Sequence, residues 1–257
     1  MRGSCLCGDV AFEIDRSPSP LGHCHCSICR KLHGTAFASF AAAPASTFRW
    51  LHGSEKIRHF ESLAGVTRGF CPRCGSSAPD AFGGESVRVP LGLLDGDPRI
   101  DALPQLFVGS RATRRVTEPK PGSLRGACHC GAVAYEIVAP LAGEIVRCHC
   151  SRCRKARAAA HASNVFVSLS DFRWLHGDDQ VDSFKVPDAL RFTQAFCRGC
   201  GSPLPRVDPQ RGIGVVPAGS LEDEPGIREG RHIFVGSKAP WFEIGDSAPQ
   251  YDEYPPA

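Results

Sequence analysis

The chain has 257 residues, of which 42% are hydrophobic, and a formal charge of +3 at neutral pH. That length suits one large domain or two of about 100–150 residues. The small charge argues against a nucleic-acid or membrane partner, and no apolar run of roughly 18 residues offers a bilayer span.

In chain order, the opening "MRGSCLCGDV" has no apolar core of signal-peptide type, so a cytoplasmic location is expected. Fourteen cysteines in a reducing compartment are not a disulfide framework. Cys-x-Cys pairs are also too close for ordinary bridges, and the thioredoxin-like context of a redox Cys-x-x-Cys is absent. Metal ligation remains. "DVAFEI" alternates in the manner of a half-buried strand. "CHCSICRK" at 24–31 then places three cysteines within six positions. The Ala-rich "RKLHGTAFASFAA" behind it is compatible with a short helix or a strand. "TFRWL" reads as a strand, "FCPRCGSSAP" (70–79) as a knuckle turn, and "SVRVPLGLL" as a strand interrupted by proline. Gly (27) and Pro (21) above average usage favour such short strands and turns over long helices.

The same blocks then recur. "GACHCGAVAYEI" (126–137) repeats residues 3–14, "CHCSRCRK" (148–155) repeats 24–31, and "FRWLHG" stands at 48–53 and 172–177. "FCRGCGSPLP" (196–205) repeats 70–79, and "IFVGS" (233–237) repeats "LFVGS" (106–110). Five matched blocks in order make a tandem duplication: a first domain over 1–117, a linker at 118–122 within the Pro- and Gly-rich "TEPKPGS", and a second domain over 123–257. Each copy is expected to be a small, mainly β domain of antiparallel sheets and long loops, whose limited core is supplemented by metal.

Each copy holds seven thiols. Zinc favours thiolates in tetrahedral array, and a closed structural site takes four. The late Cys-x-x-Cys needs two distant partners, which the N-terminal Cys-x-Cys supplies. The structural sets are then Cys5, Cys7, Cys71 and Cys74, and Cys128, Cys130, Cys197 and Cys200. The remaining triples are Cys24, Cys26 and Cys29, and Cys148, Cys150 and Cys153. Three ligands with one open position is the pattern of a catalytic zinc. A histidine such as His23, His25 or His161 could instead complete the tetrahedron and make the site structural. Three thiolates give the zinc a local charge of about −1, which disfavours a strongly acidified water and suits thiolate exchange. Arg30 and Lys31, with Arg154 and Lys155, are placed to offset that field or to receive a carboxylate, or they form a solvated loop face.

Gly-x-Cys-x-Cys-Gly at 3–8 and 126–131, Cys-His-Cys-Ser-x-Cys-Arg-Lys, and Phe-Cys-x-x-Cys-Gly-Ser resemble the glutathione-dependent formaldehyde-activating enzyme family, which includes centromere protein V. The resemblance covers nearly the whole chain, twice. It implies two tandem zinc-binding β-tent domains, with the outer cysteines on a structural zinc and the middle triple on a catalytic one, up to four zinc ions per chain. It also implies a carbon–sulfur lyase-type activity on a small thiol adduct, joining glutathione as co-substrate to formaldehyde. The family's C-terminal His…Phe…Trp pattern stands in copy two as "HIFVGSKAPW", with His232 and Trp241. Copy one has "QLFVGSRATR", with Gln105 and Arg114. The His-Gly after the triple is His33-Gly34 in copy one and Arg157-Ala158 in copy two. Neither copy has the whole pattern, so either both contribute unequally to a shared cleft or one is a scaffold. His232 reads as a substrate contact or as a hydrogen-bonded core imidazole, and Trp241 as packing. The competing function is a non-catalytic zinc scaffold or protein-interaction module. Nucleic acid and membrane are not expected partners, a small thiol is, and the sequence leaves the oligomeric state open.

Overall fold

The computed structural model describes residues 1–100, 102–112, 122–138, 141 and 143–256. The expected linker falls outside these residues except for Gly122, as do Arg114 and the end of the first expected domain, 113–117. The chain is mainly β, with two short α-helices among the described residues, α1 (Ser27–His33) and α2 (Ser151–Arg157).

Each repeat begins with a three-stranded antiparallel sheet: Arg2–Ser4, Ala11–Ile14 and Phe48–His52, then Leu124–Ala127, Ala134–Ile137 and Phe172–His176. Even the irregularity recurs, a register shift after Ala11 and after Ala134. The alternating pattern turns Phe12 and Tyr135 inward, fully buried, each edge-on to a tryptophan of the neighbouring strand, Trp50 or Trp174.

A larger sheet follows. In copy one its order is Gln105–Leu106, Ser19–Cys24, Ala38–Pro44, Ser86–Pro90, Asp80–Phe82. In copy two it is Arg206–Asp208, Ile213–Pro217, Ala162–Ser168, Glu144–Cys148, Arg228–Ile233, Gln250–Tyr251. The last strand, formed by the C-terminal tail, has no counterpart among the described residues of copy one. The Ala-rich segment behind each triple divides into a helix and then a strand. Cys26 and Cys150 cap the helices by accepting the backbone N–H of Cys29 and Cys153. Gly34 (φ 61°) and Ala158 (φ 48°) end them in the left-handed region. Pro90 and Pro217 close their strands into single 3-10 turns.

The repeats pack about a pseudo-two-fold axis. Helix α1 lies on the Ala218–Ser220 turn of copy two, and α2 on the Leu91–Leu93 turn of copy one. Gly219 and Gly92 let the backbones touch: a Cβ at either would come within 3.0 Å of main-chain atoms of the opposite copy. Lys31 pairs with Glu222 (2.8 Å), and its counterpart Lys155 pairs with Asp95 (2.6 Å) and donates to Ser4 Oγ (2.5 Å). His33 Nδ1 donates to Arg157 O at 2.7 Å. One core is shared, with Phe12, Ile14 and Leu91 of copy one packing against Ala158, Trp241 and Phe242 of copy two. Such reciprocal contacts are those of an isologous dimer within one polypeptide.

Candidate metal centres and an inter-repeat cavity

Strand ends and tight turns gather the thiols. The turn after Ser4 carries Cys5 and Cys7, and the turn after Phe70 carries Cys71 and Cys74. Their four Sγ atoms lie within 4.8 Å of one another, as do those of Cys128, Cys130, Cys197 and Cys200. The Cys5–Cys7 and Cys7–Cys71 separations are 3.5 and 3.7 Å, and Cys128–Cys130 and Cys130–Cys197 are 3.5 and 3.8 Å. Zinc–sulfur bonds of about 2.3 Å in a tetrahedron place sulfurs about 3.8 Å apart, so both quartets fit zinc. All fourteen cysteines are free thiols.

The triples are equally close: Cys24–Cys26 is 3.5 Å and Cys148–Cys150 is 3.6 Å, with Cys29 and Cys153 completing each group. Among the described residues no His, Asp or Glu donor joins either group. The three histidines considered as fourth ligands are bonded elsewhere: His23 to Ser39 (2.9 Å), His25 to Gln105 (2.7 Å) and His161 to Ser163 (3.3 Å). Hydrogen bonds from Cys24 and Cys29, then the backbone N–H groups at the start of α1, hold the Cys26 thiol down at about 2. Cys150 is held at about 3 by the same arrangement. Hydrogen bonds to Cys24 and Cys26, then burial, push the Cys29 thiol far up, as those to Cys148 and Cys150 do for Cys153. One thiolate per triple forms readily, and a divalent cation is what allows the others to ionise beside it.

The two triples differ in their surroundings. Phe234 stands beside the second triple with left-handed backbone (φ 58°), and its match Phe107 has φ 55°. Both copies hold a bulky residue in a conformation that costs about 1–2 kcal/mol. In copy two the C-terminal tail closes over this corner. Gln250–Tyr251 pairs with His232 and Ile233, Phe192 and Tyr251 pack on the cysteines, and the Tyr254 ring meets Phe234 edge-on at 4.9 Å. Burial, then the charges of Cys148, Cys150 and Cys153, push the Tyr254 phenol up. In copy one, Phe107 is 66% exposed and Val108 56%. The thiols themselves are equally shielded from solvent: Cys24 and Cys148 are both 7% exposed, and Cys29 and Cys153 are both buried.

Behind the triples lies a cavity of about 370 Å³ between the repeats. Arg30 and His25 reach it from copy one, and Arg147 and His161 from copy two. His232 is buried: its Nε2 lies 2.7 Å from the Arg147 guanidinium and 3.2 Å from Asp246, its Nδ1 lies 2.8 Å from His149 Nε2, and Arg147 donates to Asp246 (2.5 Å). Burial, then His232, lowers His149 to about 3, and its Nδ1 is buried without a hydrogen-bond partner. Gln105 Oε1 accepts from His25 Nε2 at the place where His232 Nδ1 meets His149 Nε2, so the departure from the His…Phe…Trp pattern keeps a partner at that ring nitrogen. Trp241 is in the shared core. Of the other nominated contacts, Lys31 and Lys155 hold the repeats together. Arg154 is half-buried, and its Nε has no hydrogen-bond partner. The cavity, Arg111 and the tail were not foreseen, because they depend on packing between copies and no local motif marks them.

The profile described as "Glutathione-dependent formaldehyde-activating enzyme" matches residues 1–110 and 123–237. A Halomonas elongata protein carried under the provisional name of such an enzyme is 34% identical over 126 residues, 47% of this chain and 80% of its own. A Rhodobacter sphaeroides protein of solved crystal structure is 28% identical over 41% of this chain and 99% of its own, with a TM-score of 0.34.

Proposed function

The chain belongs to the glutathione-dependent formaldehyde-activating enzyme family, and from that premise we propose that its first repeat joins a small thiol to an aldehyde. Cys24, Cys26 and Cys29 would hold the working zinc. Cys148, Cys150 and Cys153 would hold a second, shielded one, and the two quartets structural zinc. A zinc bound by three thiolates supplies a soft centre for an incoming sulfur or an aldehyde oxygen. The reaction is an addition: sulfur forms a bond to the carbonyl carbon, the π pair moves to oxygen, and the thiol proton ends on that oxygen. No side chain acts as a covalent nucleophile. The protein's part is placement and charge, which are worth most where water is thinned. Leu106 pairs in register with Cys24, the exposed Phe107 and Val108 follow it in the chain, and the cap of Cys26 on α1 fixes the ligand loop.

The observation that carries this reading is that the C-terminal tail packs on the corner of the second triple, whereas no counterpart segment among the described residues does so at the first. Exchange NMR between formaldehyde hydrate and its glutathione adduct tests it. The zinc-loaded protein should accelerate exchange over the spontaneous rate, and Cys26→Ser should abolish the acceleration. No acceleration, or an equal one from Cys26→Ser, would sink the proposal.

A further inference from the structure

Side chains alternate along the strand that leads into the first triple. Cys24 and Cys26 pack with Leu21, Ala38 and Phe40 on one face, while His23 and His25 look into the inter-repeat cavity on the other. The cavity is therefore a separate compartment from the metal corner. Among the described residues, the cavity's lining charges that lie outside ion pairs are sorted by repeat. Arg30 and Arg111 reach it from copy one, and neither has a carboxylate partner among the described residues. Arg30 Nε is spent on His25 O (3.3 Å) and one Arg111 nitrogen on Gln105 (3.1 Å), which leaves the rest of both guanidiniums for a ligand. From copy two come Asp223, which accepts the backbone N–H of Arg125 (2.9 Å), and the exposed Glu243. The other wall charges are engaged: Arg147 with Asp246, Glu222 with Lys31, and Glu224 within the protein. Phe37 and Phe242 give an apolar floor, their centroids 6.0 Å apart.

Cations on one wall, acids on the other and an aromatic floor between them are complementary to a molecule that carries both charges. We infer that this cavity binds a zwitterion of the amino-acid or short-peptide class, its carboxylate held by Arg30 and Arg111 and its ammonium turned toward Asp223 and Glu243. The volume is near the lower end of ligand pockets, roughly 300–1,000 Å³, which suits one or two residues. The inference stands whether or not the first triple handles thiols.

Calorimetric titration of the zinc-loaded full chain tests it with phenylalanine, alanyl-phenylalanine, 3-phenylpropionate and phenethylamine. At least one zwitterion should bind saturably at about 1 mM or tighter, and the singly charged analogues at least about tenfold more weakly. Whether the amino acid or the dipeptide binds more tightly identifies the source. Arg111→Gln, at an exposed position, should weaken binding about tenfold or more, and Ala36→Phe, which fills the cavity, should abolish it. Cys26→Ser should leave it intact, separating this site from the metal corner. Absence of saturable binding by both zwitterions overturns the inference. So does equal binding of either singly charged analogue, or affinity unchanged in both Arg111→Gln and Ala36→Phe.

Discussion

The ring of Phe196 occupies the space where a side chain on Gly75 would begin: a Cβ there would lie less than 3.0 Å from the ring. Gly201 stands in the same relation to Phe70, so each late Cys-x-x-Cys turn is seated on an aromatic of the other repeat. Both glycines are left-handed, at φ 74° and 71°. Gly75→Ala and Gly201→Ala should each cost about 2–4 kcal/mol, from strain and overpacking together. Because the contact joins the repeats, urea unfolding should stay a single transition at a lower midpoint. A split into two transitions in the wild type would show the repeats to be independent.

The quartets and the triples should separate in mutagenesis. A structural zinc is worth about 10–16 kcal/mol of apparent binding, comparable with the whole stability of a domain of about 5–15 kcal/mol. Cys74→Ser or Cys200→Ser should therefore prevent folding, read by circular dichroism and expression. Cys26→Ser and Cys150→Ser should fold with one zinc fewer by metal analysis, and only the first should lose activity.

Burial, opposed by the bond to Arg157, lowers His33 to about 4. A histidine kept neutral in the fold, with an unfolded value near 6.5, takes up protons preferentially when unfolded. Its contribution is complete above about pH 6.5 and is lost as pH falls toward 4. At most it amounts to about 3 kcal/mol, from about 1.4 kcal/mol per unit. His33→Asn, whose amide can still donate to Arg157 O, should flatten the pH dependence of the unfolding free energy between pH 6.5 and 4 relative to wild type.

Removing residues 250–257 should uncover the second triple. Its zinc, released slowly to a chromogenic chelator in the full chain, should then leave at about the rate of the first. Unchanged release kinetics would mean that the tail is not what shields it.

The grouping of the fourteen thiols was legible in the sequence, because ligand spacing is local and the duplication supplied an internal alignment. The strands "AFEI" and "FRWL" were legible from period-two patterning, and Trp241 as packing. The Ala-rich segments were ambiguous, since alanine suits both elements; the caps at Cys26 and Gly34 decide where α1 ends and the strand begins. The cavity between His25 and Arg147 was not legible. It arises from how two similar surfaces meet, and only the unequal His232/Gln105 and Arg157/His33 pairs hinted at a shared cleft. The cover that Tyr251 and Tyr254 place on the second triple lies in residues with no repeat partner to compare.

The central claim is best tested by a crystal structure of the zinc-loaded chain soaked with glutathione, with zinc located by anomalous scattering. Four ions are predicted, two closed by four cysteines each, with the glutathione sulfur at the fourth position beside Cys24, Cys26 and Cys29. A protein side chain filling that position in the first repeat, or cystine bridges in place of the ions, would contradict the account.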